Sequence, residues 1–234
     1  MNVRTQAVFL FAMHAEAVSL LDRTNAHEIK RVGPMVLYEF SIAGVAFGVI
    51  CCGESQRFHC DRIGTEAAML AAHTAVSEFN TSWLISAGTC GAFDPRLRVG
   101  DLISAGPIAS YYDHRVPLDA FSGYSQGAYP LYECELLNQQ PEVHRGIVAT
   151  GHSLDLSPRC QTRLEASGAI AKEMELAAIA QYADEFGYQA SGLKVVSNAA
   201  GDHGHNEFSE NLVNVSLRLC DSIYLWCEAL AARR

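Results

Sequence analysis

The sequence predicts an α/β fold: a single domain spanning residues 1–234, with a mixed or mainly parallel sheet covered by helices on both faces. Three observations predict it. Short β-branched or apolar runs alternate with segments of helical period along the whole chain, the pattern of strands joined by helical crossovers. At 234 residues the chain is long enough to bury a sizeable core. Its composition, 49% hydrophobic and 18% charged, is globular rather than disordered.

The run Ala7–Ala12 reads as a buried first strand, because it passes into a charged helix over Ala15–Asp22 with no small-residue cleavage pattern between them. Val36–Phe40 and Val45–Cys51 form a hairpin that turns at Ala43-Gly44. A helix over Gly64–Phe79 leads to a strand over Trp83–Ala87, and Asp101–Ala109 follows as another strand. The segment Tyr111–Pro141 is rich in Gly, Tyr, Pro and Asp and lacks periodicity, which predicts a long ordered loop, a lid or a subunit contact. Beyond it come a strand at Gly146–Thr150, a helix at Pro158–Ala166, a strand at Ala169–Ala171, a helix at Met174–Phe186, a strand at Leu193–Ser197 and a last helix at Glu207–Leu230. There is no internal repeat and no low-complexity tract.

The formal net charge of −9 speaks against nucleic acid or an anionic membrane surface as partner. No stretch reaches the roughly 18 to 20 apolar residues of a membrane span. Eight cysteines occur without a C-x-x-C pair, and the histidines lack zinc spacing, so free thiols in a reducing cytoplasmic setting are expected and a metal site is not. His14, His152, His203 and His205 read as surface or loop residues.

In such sheets ligands collect at the carboxyl ends of strands. Glu16, Thr89, Asn198 and the pair Met174-Glu175 all lie just after a predicted strand, and that convergence marks a site. Glu175, between a short apolar run and a helix start, can accept two sugar hydroxyl hydrogens, while Met174 offers a soft apolar face. Each has a blander reading. A glutamate in a first helical turn is ordinarily a dipole partner, Thr89 can merely satisfy a tight glycine turn, and Lys172 can be a solvated lysine whose backbone alone lines the pocket.

Phe11-Ala-Met-His-Ala-Glu-Ala17, Ser86-Ala-Gly-Thr-Cys-Gly91, Asp113-His-Arg-Val-Pro117, Thr150-Gly-His-Ser-Leu-Asp155, Lys172-Glu-Met-Glu175 and Glu207-Phe208 together resemble the 5′-methylthioadenosine nucleosidases, plant-type branch, of the purine nucleoside phosphorylase superfamily. The resemblance runs from the first strand to the last helix. It implies a nucleoside phosphorylase-like fold and a cytoplasmic homodimer, without metal or organic cofactor, that splits the glycosidic bond of a small-molecule purine nucleoside with water in methionine salvage. By the same resemblance Glu16 activates the water, and Thr89 lines the ribose and water site. Leu154, Lys172, Glu173 and Met174 line the nucleoside pocket, Glu175 binds the ribose hydroxyls, and Asn198 handles the base.

Two positions depart from the family pattern: His152 replaces an aspartate, and Asn198 replaces the aspartate expected to protonate the leaving purine. Asparagine has no proton to give, although its NH2 can donate to N7 and O6 of a 6-oxopurine. Ser197-Asn198-x-x-Gly201 also resembles futalosine hydrolases. Adenine nucleoside hydrolysis, 6-oxopurine hydrolysis and nucleoside binding with little turnover all remain open at this point. Phosphorolysis is disfavoured, because Ser86 stands where phosphorylases of the superfamily place a phosphate-binding arginine; Arg57 and Arg62 are the remaining candidates for that charge.

Overall fold

The computed structural model describes residues 4–134, 143–199 and 204–233. The first strand, β1 (Thr5–Phe11), is buried along nearly its whole length, and so is β4 (Val45–Cys51) beside it. The apolar runs Ala7–Phe11 in β1 and Val45–Cys51 in β4 suit central parallel strands covered on both faces, and β1 pairs in parallel with β4 on one side and β5 (Trp83–Ala92) on the other. Between them the chain forms helix α1 (His14–Thr24), β2 (His27–Val32) and β3 (Met35–Ile42). The expected hairpin joins β3 and β4, with Ala43 and Gly44 both at positive φ, as a two-residue turn that follows strand twist requires. Strand β2 was not expected. Its residues are almost all exposed, so His-Glu-Ile-Lys-Arg-Val carries no core pattern and forms a charged sheet edge.

The second half builds β6 (Leu102–Tyr111), the two-residue β7 (Tyr129–Pro130), β8 (Val143–Thr150), β9 (Ala169–Glu173) and β10 (Gln189–Ala199). The sheet is mixed, as the sequence predicts, but it also closes. Strand β5 pairs with β9, β9 with β8, β8 with β6, β6 with β10, and β10 again with β5. These five strands form a ring from which β1, β4, β3 and β2 continue as an open sheet.

The remaining helices are α2 (Thr65–Glu78), α3 (Ser122–Gln126), α4 (Pro158–Ser167), α5 (Leu176–Phe186) and α6 (Gly204–Ala231). Helix α4 starts where the sequence says it should: Ser157 accepts a hydrogen bond from Cys160 N, Pro158 occupies the first turn, and Gly168 ends it in the left-handed region. One core layer places Leu10, Ile50 and Leu84 against α2 and α5, and the other places Phe9, Phe47 and Trp83 against α1 and α6. Trp226 of α6 meets Phe9, Phe47 and Trp83 edge-on, with ring centroids 5.1 to 6.3 Å apart. No helix among the described residues is long and apolar enough to cross a membrane.

The Tyr111–Pro141 segment is not uniformly irregular. It contains a short 3₁₀ turn at Asp119–Phe121, then α3 and β7, while 135–141 lies outside the described residues. Seven of the eight cysteines are buried and free, and Cys60 is exposed.

Candidate active site

A cavity of about 360 Å3 opens at the carboxyl ends of β1, β5, β9 and β10. Every residue singled out from the sequence lines it: Glu16, Thr89, Leu154, Lys172, Glu173, Met174, Glu175 and Asn198. The elements that bring them together differ from expectation in an instructive way. Thr89 and Asn198 do not follow their strands but lie within them, because β5 runs on through Gly88 to Ala92 and β10 runs on to Ala199. The register between β10 and β5 shifts between Val196 and Asn198. That irregularity lets the successive residues Ser197 and Asn198 both face the cavity, which strict alternation would forbid.

Glu16 sits in the first turn of α1 and is only 2% exposed. Its Oε1 accepts from both the backbone N and the Oγ1 of Thr89, each at 2.8 Å, and its Oε2 accepts from Met13 N at 3.3 Å. The last contact is the reciprocal half of a capping box, so the helix-start reading is also true of Glu16. It does not account for the two bonds from β5. Burial pushes the Glu16 carboxyl above its ordinary range, against those hydrogen bonds and the charge of Lys194. Gly88 is what lets β5 approach: a Cβ there would stand 3.0 Å from Glu16 Oε1.

Strand β9 carries Lys172 and Glu173 and ends at Met174-Glu175, from which α5 starts. Glu173 lines the cavity, but its carboxylate is fully committed elsewhere. Oε2 accepts from Glu175 N at 3.0 Å and Leu176 N at 2.9 Å and pairs with Lys194 Nζ at 2.9 Å; Oε1 accepts from the Thr150 hydroxyl. Thr150 Oγ1 in turn accepts from Ala177 N at 2.8 Å. The free donors at the start of α5 are thus satisfied by two strand side chains, which fixes the helix start rigidly. Glu175 Oε1 accepts from Gly64 N at 2.8 Å. Burial, then the neighbouring Glu173, pushes its carboxyl up to about 7, against Lys194 and the Gly64 N–H.

Lys172 is not a solvated lysine. It is 4% exposed, and its ammonium donates to the carbonyls of Ser153, Leu154 and Asp155 at 3.0, 2.7 and 2.7 Å. It straps the Gly151–Asp155 loop to β9 and so places Leu154 at the cavity wall. His152, read from sequence as a plain surface or loop residue, is exposed yet lines the cavity and shares a 2.7 Å hydrogen bond with Thr65 Oγ1.

Asn198 is 5% exposed. Its Oδ1 accepts from Ser197 Oγ at 2.7 Å, and its Nδ2 donates to Ala199 O at 2.8 Å. The Ala199 carbonyl dictates which end of the amide is the nitrogen, and one N–H hydrogen remains uncommitted.

The sequence reading missed Lys194. A lysine in the middle of the apolar run Leu193-Lys-Val-Val is a signal in itself, since such a residue is buried only when paired. Also missed was Ile63 at the cavity wall. No arginine lines the cavity among the described residues. Ser86 is wholly buried inside β5, and Arg62 donates to Cys52 O at 3.2 Å. No described residue of Tyr111–Pro141 lines it either. Among the described residues no three His, Cys, Asp or Glu side chains are grouped to hold a metal ion.

A ring-closed mixed sheet with a carboxylate-lined cavity at its strand ends places the chain in a defined class: it belongs to the phosphorylase superfamily, which it matches over residues 6–224. Within that class its resemblance is to nucleosidases. It is 30% identical to a 5′-methylthioadenosine nucleosidase of Arabidopsis thaliana over 223 residues, covering 92% of this chain and 83% of that protein. The solved apo structure of the Arabidopsis thaliana 5′-methylthioadenosine nucleosidase superposes with a TM-score of 0.91 at 27% identity, covering 100% of this chain and 98% of that one. An aminodeoxyfutalosine nucleosidase of Campylobacter jejuni is 29% identical over 185 residues, covering 72% of this chain and 79% of that protein.

Proposed function

We propose that this chain hydrolyses the N-glycosidic bond of a purine nucleoside, with 5′-methylthioadenosine as its substrate and adenine and 5-methylthioribose as products. The observation that carries the reading is Glu16, a buried carboxylate held by Thr89 and facing the same cavity as Glu175 and Asn198. Loss of the base leaves an oxocarbenium-like sugar, and a desolvated carboxylate beside C1′ both stabilises that charge and takes the proton of the attacking water. Burial raises the Glu16 carboxyl, which makes its carboxylate a stronger base. Glu175 accepts from the ribose hydroxyls, Met174 packs on the sugar, and Leu154 lies along the nucleoside. The N9 electron pair leaves with the purine; Asn198 donates its remaining N–H to N7 but keeps its proton, so the base is protonated from solvent and turnover is slower than with an acid at this place.

That no arginine lines the cavity among the described residues supports water rather than phosphate as the nucleophile. We place the enzyme in the cytoplasm, as a homodimer serving methionine salvage. The Asn198 amide also supports a second reading, cleavage of a 6-oxopurine nucleoside, because its NH2, once turned away from the Ala199 carbonyl, can donate to N7 and O6 together.

The test is product analysis after incubation with adenine and hypoxanthine nucleosides, with and without phosphate. Free adenine and free sugar, formed at a rate indifferent to phosphate, are expected. A sugar 1-phosphate formed faster than the hydrolysis product would overturn the reading.

A further inference from the structure

Lys194 is the buried charge that the mechanism above leaves unused. It lies on β10 opposite Gly88 of β5, the glycine that makes room for Glu16. Its side chain is 2% exposed and pairs with Glu173, itself 1% exposed, at 2.9 Å. Glu173 holds the backbone of Glu175 and Leu176. A buried ammonium is expensive to desolvate. This one stands among three buried carboxylates, Glu16, Glu173 and Glu175, each contributed by a different part of the chain or by a different side of the β9–α5 junction. Lys172, the other buried lysine at the cavity, is spent on loop carbonyls.

We propose, on the nucleosidase reading above, that Lys194 is a positioning residue for hydrolysis: it locks the helix start that presents Glu175 and supplies the positive charge that lets Glu16 stand ionised in a dry cavity. Among the described residues, Lys194 is the cation that acts on Glu16 and Glu175. Around Glu16 are the Thr89 hydroxyl on β5 and the thiols of Cys52 after β4, Cys90 on β5 and Cys220 on α6, all three thiols pushed up to about 12 by burial. Burial raises the Cys51 thiol further still. Around Glu175 stand Glu173 and the Gly64 N–H. Lys194 itself stays charged: burial works against its proton, but Glu173, Glu175 and Glu16 together outweigh it.

The experiment compares wild type with Lys194→Met, Lys194→Arg and the double variant Lys194→Met/Glu173→Gln. Two readouts are taken across pH: kcat/KM for the best nucleoside, and affinity for a non-hydrolysable C-nucleoside analogue. Loss of the positive charge favours protonation of Glu16, so the acidic limb of kcat/KM should move to higher pH by about one unit, read as about a tenfold loss on that limb. Lys194→Arg should restore most of it. The double variant removes the Glu173 carboxylate together with its ion-pair partner and should fold even if Lys194→Met does not. Its analogue affinity should approach wild type, because the Glu173 charge that disfavours ionised Glu175 goes with the lysine, while its kcat/KM limb stays displaced. A limb superimposed on wild type in the double variant, or an arginine variant no better than methionine, would overturn the role of Lys194 alone. A wild-type chain that neither cleaves the nucleosides nor binds the analogue overturns the nucleosidase reading, and the role of Lys194 with it.

Discussion

Two glutamates of one cavity are held in opposite ways, and their variants should separate accordingly. Glu16 has its carboxylate fixed by Thr89 and Met13. Glu16→Gln should lower kcat by about 100-fold or more, the range of general acid–base catalysis, with little effect on analogue affinity. Glu175→Gln should weaken analogue binding and turnover together, since a ribose contact exists in both ground and transition states. Equal losses of analogue affinity in the two variants would contradict the assignment. At Asn198 the outcome tells two substrates apart. With adenine nucleosides as natural substrates, Asn198→Asp supplies the missing acid and should raise 5′-methylthioadenosine hydrolysis by about 100-fold. With 6-oxopurines, the same change sets a carboxylate against O6 and should abolish cleavage of the hypoxanthine nucleoside. No gain on any adenine nucleoside, beside strong wild-type cleavage of a hypoxanthine one, would favour the second reading.

At the scale of elements, the approach of β5 to α1 hangs on Gly88. A methyl there meets the Glu16 carboxylate at 3.0, 3.2 and 3.3 Å, and φ of +151° disfavours a side chain as well. Gly88→Ala should cost about 1 to 3 kcal/mol of stability and lower kcat by displacing Glu16, checked by denaturant unfolding and steady-state kinetics. Retained kcat with normal stability would show that Glu16 tolerates displacement. The same strand shows where sequence reading succeeds and where it stops. Glu16, Glu175 and Asn198 were legible because polar residues at the ends of apolar runs are conspicuous. Thr89 reads as a turn residue because Gly88 and Gly91 look like turn glycines, whereas both lie within β5, where Gly88 leaves room for the Glu16 carboxylate. Strand β2 escaped notice because its exposed charged residues repeat no core pattern. Lys194 was hidden because its partner Glu173 sits 21 positions away and only the β9–β5–β10 arrangement brings them together. Ring closure is likewise a property of distant pairings, which local periodicity does not carry.

For the whole molecule, the cavity's carboxylates set a trade between stability and function. Glu175 titrates in the fold near 7, above its ordinary 4.5. A raised folded value means that its contribution is greatest below the unfolded value and is lost as pH climbs through about 7. Ligand-free Glu175→Gln should therefore be more stable than wild type at pH 8 and lose that advantage by pH 5, measured as Tm across pH. An advantage that grows on acidification would refute the assignment. The ring of five strands has a consequence of its own, in time rather than in space. Strand β10 is the last strand made, yet it must slot between β5 and β6, two strands synthesised far earlier. Until residue 199 is available, both of those strands wait with an unpaired flank, and Thr89 has no Asn198 near it. A nascent chain emerging at about 5 to 20 residues per second therefore spends several seconds with sticky edges and no cavity. Such a protein is most exposed to misassembly just before it becomes an enzyme.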